Sequence, residues 1–313
     1  MSHGLPRALH AVAELGIADA LGESPRSAEE LARDTGADAG ALARTLRVLE
    51  TEGIFESREG AWGHTPASRL LRSDHPQSMR SFVRMIGLSV YWRGFEYFAD
   101  ALKTGASVQE SVVPGGFWQY LSENREASRL FDEAMMGKAA GQIAGVLQRY
   151  DFTPFSTIAD IGGGRGHLLA AVLQAAPAAR GVLFDQPHVV EGVQPHDRLE
   201  VVGGSFFEAV PQGADAYVLK MIIHDWEDAE SIAILRTVRA AMPEGGVVLI
   251  VERSLGPANT EPGGKLSDLN MLLMPGGRER SHDEYAALFE ASGLRFAGVT
   301  RAGPMDVVEA AIA

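Results

Sequence analysis

The stretch Thr157-Ile-Ala-Asp160-Ile-Gly-Gly-Gly-Arg-Gly166 decides the fold. Five residues of strand-like, largely apolar sequence run straight into a glycine-rich turn, and a helical pattern follows around 166–176. Glycine lets the backbone turn tightly and approach a ligand, and the first N–H groups of the following helix are left free to bind it. The glycines are spaced G-x-G-x-G. The dinucleotide pattern G-x-G-x-x-G would want a glycine at 167, where this chain has His167. Asp160, just ahead of the first glycine, tilts the reading towards a nucleoside-sulfonium ligand.

Outward from that turn the chain alternates short apolar strands with amphipathic helices. Strands are predicted at 157–161, 182–185, 199–202, 216–220 and 247–252, with two more at 296–300 and 307–311. Helices are predicted around 166–176, 228–242 and 281–292. This is the grammar of an α/β doubly wound fold, a parallel sheet covered on both faces.

The first eighty residues read differently. Ser27 with Glu30 forms a capping box opening a helix that ends near Gly36. Leu42, Leu46 and Leu49 recur at helical spacing, with Gly53 placed to cap that helix. Ile54-Phe55, the turn residues Glu59-Gly60, and Trp62 suggest a two-stranded wing. Helices followed by a wing are the pattern of a winged-helix domain. Its charge does not suit nucleic acid: residues 1–80 hold nine Arg and no Lys against twelve Asp and Glu. A packing or dimerisation module is the expectation, with the apolar face of Leu9, Val12, Leu15 and Ile17 buried against a second copy. Between the two domains, residues 81–150 read as helical and rich in aromatics and Met, mostly core with part of it able to line a flat apolar pocket.

The whole chain has 313 residues, which suits two domains, and 46% hydrophobic residues suit a packed core. A net charge of −13 repels phosphate backbones and anionic lipids. The absence of cysteine excludes disulfides, thiolate metal sites and a Cys nucleophile. With no span of about 20 apolar residues and no signal-peptide pattern at Met1–Leu9, the expectation is a cytoplasmic protein without membrane or nucleic-acid partners.

In open α/β sheets, ligands lie outside the carboxyl ends of the strands. That rule selects Asp185, able to accept both hydroxyls of a ribose, and the Gly203-Gly204-Ser205-Phe206-Phe207 turn. It also selects Leu219-Lys220-Met-Ile-Ile-His224-Asp225-Trp226. Two acids, Glu252 and Glu279, can come near His224. Ser281 followed by Glu284 is a second capping box, setting Glu279 just ahead of a helix start.

Asp160–Gly166, Phe184-Asp185-Gln-Pro-His-Val189, Leu219–Trp226 and Pro275-Gly-Gly-Arg-Glu-Arg-Ser281 occur together and in order. In them the chain resembles S-adenosylmethionine-dependent O-methyltransferases of the plant caffeic-acid and bacterial antibiotic-tailoring types. Ala13-Glu-Leu-Gly-Ile-Ala18 looks like that family's dimerisation domain. The resemblance implies a Rossmann-like class I methyltransferase domain over 151–313 and an N-terminal, all-helical winged-helix dimerisation domain over 1–80. Residues 81–150 form a helical linker and pocket wall. It makes His224 the general base, with Glu252 and Glu279 holding it. The cofactor set is Asp160, Gly162, Gly164, Asp185, Gly204, Ser205, Phe206, Lys220 and Trp226. Ser205 departs from the family pattern, in which an Asp often follows the glycine for an adenine contact. Trp92, Phe131, Met135 and Asp268 are expected against a small aromatic acceptor, as are Met271 and Met274 on a loop before the Pro275 turn. A homodimer is implied, with S-adenosylmethionine as cofactor and no metal.

Three other readings remain at this level: a cofactor-binding relative that hydroxylates or decarboxylates, a winged-helix DNA-binding regulator, and a nicotinamide dehydrogenase.

Overall fold

The computed structural model describes residues 3–258, 260, 262–274 and 276–313, with the side chains of residues 138, 140 and 262 left out of the description. It divides into two compact units, Met1–Tyr97 with Ser111–Gly141, and Phe98–Glu110 with Gln142–Ala313.

In the first unit, α1 (Gly4–Glu14), α2 (Ile17–Leu21), α3 (Ala28–Thr35) and α4 (Ala39–Thr51) precede a hairpin of β1 (Phe55–Arg58) and β2 (Ala61–His64). The Ser27 capping box forms, and Gly36 ends α3 in the left-handed conformation. Glu59 and Gly60 both have positive φ, 53° and 82°, the turn geometry that matches the twist of a two-residue hairpin. Val12, Ile17, Leu31, Leu46, Leu49, Phe55 and Trp62 form one core. Val12 and Ile17 are therefore consumed inside the chain, contrary to the expectation that a partner covers them. Leu15 stays 46% exposed, because Gly16 turns the chain between α1 and α2 and Leu15 falls at the corner.

The chain continues through α5 (Pro66–Arg69), α6 (Arg80–Gly87), α7 (Ser89–Glu96), α8 (Phe98–Thr104), α9 (Gln109–Val112), α10 (Gly116–Glu123) and α11 (Arg125–Arg149). Residues 81–150 are helical as expected, but not all their large side chains are core. Met85 and Phe117 are buried, whereas Phe95, Trp118 and Met136 are exposed on the single chain. Phe131 stands edge-on to Phe117 and Trp118, at 5.8 and 5.9 Å between ring centroids. Trp92 carries the Arg7 guanidinium 4.3 Å from its ring centre, and Met135 is half-buried.

The second unit is built on β3 (Thr157–Ile161), α12 (His167–Ala175), β4 (Arg180–Asp185), α13 (Pro187–Val190), β5 (Leu199–Gly203) and β6 (Ala216–Lys220). It continues with α14 (Asp228–Ala241), β7 (Val247–Glu252), α15 (Pro262–Leu273), α16 (His282–Ala291), β8 (Leu294–Ala302) and β9 (Met305–Ile312). The seven strands lie in the order β5-β4-β3-β6-β7-β9-β8. The sheet is parallel as expected except at one end, where β9 runs antiparallel to both β7 and β8. Only Gly303 and Pro304 join β8 to β9, and two residues can close a hairpin but not a crossover. Ile158, Ala159, Ile161, Tyr217, Leu219, Val248 and Ile250 are buried, as parallel strands covered on both faces must be. The strand order reverses between β3 and β6, so the carboxyl ends of β3, β4, β6 and β7 open on one edge.

No helix among the described residues is long and apolar enough to cross a membrane. In the first unit, Leu46 is fully buried among Leu31, Leu49 and Phe55. Leu46→Ala should cost about 2–5 kcal/mol, read as a lowered urea midpoint; an unchanged midpoint would mean that this core does not support the unit.

Candidate active site

The first wall of the site is the glycine turn after β3. The N–H groups of Gly162 and Gly163 donate to the Phe184 carbonyl at 2.8 and 3.2 Å, tying the turn to β4. Gly162 has φ 69°, a conformation that favours glycine, and a Cβ there would stand 2.4 Å from Ile222 Cδ1. Asp185, at the end of β4, accepts from the Gly164 N–H through Oδ2 (2.8 Å) and from its own neighbour Gln186 through Oδ1 (2.7 Å). Its backbone carbonyl takes the Gly204 N–H at 3.0 Å, so one residue ties together both glycine turns.

Asp160 lies beneath the turn, 2% exposed, and among the described residues no donor comes within hydrogen-bond distance of either carboxylate oxygen. Burial pushes its carboxyl up to about 7 against the pull of the Lys220 ammonium. Asp185 adds to the rise. A buried carboxylate with so little compensation makes the cleft above it favourable to a cation. Beyond the Gly204 turn, Phe206 and Phe207 stand edge-on to Trp226 at 5.9 and 4.9 Å. Ser205 Oγ accepts from the Phe207 N–H at 3.3 Å. An open backbone turn, a carboxylate at a strand end, an ammonium at the next strand and an aromatic edge fit a charged nucleoside.

The second wall carries His224. β6 ends at Lys220, Met221 takes a left-handed φ of 56°, and a single 3-10 turn, Ile223–Asp225, presents the imidazole. The side chain is 5% exposed. Nδ1 lies 3.3 Å from Glu279 Oε1, and Nε2 lies 3.4 Å from Asp225 Oδ1. Burial alone would lower the imidazole's pKa. The carboxylates of Asp225, Glu279 and Glu252 outweigh it and raise the group to about 9.

Both expected acids are present, but they do different things. Glu279, 1% exposed, reaches the ring itself; it is not a solvated acid at a helix end. Its Oε1 also accepts from Ser267 Oγ at 2.7 Å, and its N–H donates to Asp268 Oδ1 at 2.9 Å. Glu252 does not bond the ring. Its Oε1 accepts the backbone N–H groups of Ile222, Ile223 and His224 at 3.1, 2.7 and 3.2 Å, while Oε2 accepts from the Tyr285 hydroxyl. Glu252 thus shapes the turn and acts on the imidazole only through its field. Arg278 N–H donates to the His224 carbonyl at 2.8 Å, and a Cβ on Gly277 would stand 1.9 Å from that oxygen.

Met271, expected on a loop, lies with Asp268 on helix α15, and Met274 just after the helix is buried. Pro275 lies outside the described residues. Trp92, Phe131 and Met135 belong to the first unit. Sequence reading missed Ser267, Arg280 and Tyr285. The run Arg278-Glu279-Arg280 ahead of a capping box was the available signal, and it reads as solvent-facing until the strand ends are placed around it. Among the described residues, no three His, Asp or Glu side chains are arranged to hold a metal ion.

Residues 95–295 match the O-methyltransferase domain and residues 2–74 the O-methyltransferase dimerisation domain. The chain is 42% identical to the phenazine O-methyltransferase PhzM of Lysobacter antibioticus, covering 97% of this chain and 92% of that one. It is 40% identical to the O-demethylpuromycin-O-methyltransferase of Streptomyces alboniger, covering 95% and 83%. The crystal structure of the O-methyltransferase NcsB1 from neocarzinostatin biosynthesis, in complex with S-adenosylmethionine and 2-hydroxy-5-methyl naphthoic acid, superposes with a TM-score of 0.83. Its identity is 32%, over 98% of this chain and 96% of that one. Fold and site therefore define a Rossmann-like class I methyltransferase. The chain belongs to the O-methyltransferase family; it is an enzyme of that activity with S-adenosylmethionine as its cofactor. The dehydrogenase reading falls with that assignment.

A histidine whose pKa is raised on folding stabilises the protein fully below its ordinary 6.5 and loses that contribution as pH rises through about 9. Asp160, also raised, loses its contribution between its ordinary 3.8 and about 7. Between pH 7 and 9 the urea midpoint should therefore fall, and His224→Gln should flatten the fall. An equal slope in both proteins would show that His224 does not carry the raised pKa.

Proposed function

We propose that the enzyme methylates a hydroxyl of a small aromatic secondary metabolite, with His224 as general base and no metal in the scheme. The observation that carries this reading is the buried imidazole at the end of β6, beside the glycine turn, with one nitrogen against Glu279. The names of the relatives support the acceptor class, since phenazine, puromycin and naphthoate are aromatic frameworks.

Gly162, Gly164 and Gly204 would let the backbone approach the cofactor. Asp185 would accept the ribose hydroxyls and Lys220 the methionine carboxylate, with Ser205, Phe206 and Trp226 at the adenine end and Asp160 favouring the positive charge from below. When bound, S-adenosylmethionine supplies a methyl carbon already activated by its sulfonium. The chain's own task is to align an oxygen and take its proton. Alignment is the larger contribution, since effective molarities correspond to about 7–11 kcal/mol of barrier.

Proton removal is where the carboxylates matter. An ordinary imidazole and a phenol near pKa 10 are about 3.5 units apart, an uphill transfer of roughly 5 kcal/mol. With the imidazole raised to about 9, the gap shrinks to about one unit, and most of that uphill cost is removed. The accepting form has its proton on Nδ1, donated to Glu279, and leaves the Nε2 lone pair for the acceptor. A raised pKa also means that this neutral form is the minor one at neutral pH, so turnover should climb with pH. On the substrate side, Asp268 and Met271 of α15 are proposed acceptor contacts. The first domain, 1–80, is proposed to pair two copies, which agrees with its dimerisation-domain match and with exposed Leu15.

The test is mass spectrometry of products from phenolic, quinone and polyketide acceptors with labelled cofactor. His224→Ala should lower turnover about a hundredfold or more while cofactor affinity stays at the parent value, and a metal chelator should leave the rate unchanged. Equal turnover in His224→Ala would remove the base, and label on no aromatic hydroxyl would remove the substrate class. Asp185→Ala should weaken cofactor binding about tenfold or more, as loss of charge-assisted hydrogen bonds does; calorimetry checks this, and parent-like affinity would take Asp185 off the ribose.

A further inference from the structure

Arg280 has no part in the chemistry above, yet it is completely buried. Burying a guanidinium costs several kcal/mol unless its donors are met, so its contacts are informative. Nη1 donates to the Ile223 carbonyl at 3.0 Å and, more weakly, to the Arg278 carbonyl at 3.4 Å. Nη2 donates to the Trp226 carbonyl at 2.8 Å and to Asp228 Oδ1 at 2.8 Å, and Nε donates to the same Asp228 oxygen at 3.1 Å. Ile223 and Trp226 flank His224 on either side.

We propose that Arg280 is a positioning residue for the methyl transfer. Its planar fork grips the turn that carries His224 by the carbonyl groups on both flanks, and Asp228 anchors the fork from outside. The opposite polar edge of the turn is gripped as well, because Glu252 takes the N–H groups of residues 222–224. With the His224 carbonyl bonded by Arg278, the turn is pinned between a carboxylate on its donor side and a guanidinium on its acceptor side. Such pinning holds Met221 in its left-handed conformation and leaves the imidazole little freedom except rotation against Glu279. Lysine cannot replace the fork, since an ammonium is a point donor that cannot span two carbonyls and a carboxylate in one plane. The proposal rests on the reading of His224 as general base.

The experiment uses the full-length enzyme with S-adenosylmethionine and a phenolic acceptor that it methylates. In Arg280→Lys, kcat should fall roughly a hundredfold, the size of effect that a misplacement of about 1 Å produces, while cofactor Kd changes by far less. The His224 ring titration, followed by nitrogen-15 NMR, should move down towards the ordinary histidine range as the ring loosens from Glu279, with Asp225 and Glu252 the other carboxylates facing it. Millimolar guanidinium should restore part of the turnover of Arg280→Ala, which a merely structural role would not allow. Should Arg280→Lys not fold, Asp228→Asn releases the outer anchor at a half-exposed carboxylate, and it should shift kcat and the ring titration in the same directions by less. A ring titration equal to the parent's overturns the proposal, as does parent-like kcat in the folded variant. If His224→Ala also keeps its turnover, it is the base reading that has failed; if His224→Ala is impaired and the Arg280 variant is not, only the clamp has.

Discussion

The second unit's sheet ends in a group of charges that water does not reach, and everything at that edge depends on their satisfying one another. His224, Glu252, Glu279 and Arg280 are all buried. Any one of them alone would be expelled or neutralised at a cost of several kcal/mol. Together they form a lattice in which each acid has donors and each cation has acceptors. The lattice fixes a backbone turn and an imidazole at once, and its carboxylates raise that imidazole above the ordinary histidine range. Folding energy and proton affinity come from the same contacts.

The sheet supplies the address. Parallel strands deliver their carboxyl ends to one edge, so Asp160, Asp185, Lys220 and Glu252 arrive together from four strands although up to 92 positions separate them in the chain. The glycine turn and the His224 turn then face one another through Gly162 and Ile222. A side chain at Gly162 would meet the Ile222 side chain beside that turn.

Much of this was legible in the sequence because it is local. Capping boxes at Ser27 and Ser281, the glycine turn after Ile161 and the Glu59-Gly60 hairpin follow from residues a few positions apart, and each forms as read. The misreadings are also local in cause. Met271 reads as loop because the Pro275-Gly276-Gly277 turn follows it closely, yet α15 runs to Leu273 and carries it. The six residues left between the predicted strands 296–300 and 307–311 are already too few for a parallel crossover. What no local pattern discloses is which partner a buried charge takes. Glu252 was expected at the imidazole and holds the backbone instead, and Arg280 and Tyr285 find their partners only when the strand ends meet. Val12 and Ile17 present the same helical stripe whether their own core or a second copy covers it.

The most direct measurement of the central claim is a crystal structure with S-adenosylhomocysteine and a phenolic acceptor bound together. The imidazole Nε2 should then sit roughly 2.6–3.2 Å from the phenolic oxygen, with Nδ1 still against Glu279 and Asp225 displaced from Nε2. A ring that keeps Asp225 as its Nε2 partner while the phenol lies elsewhere would contradict it.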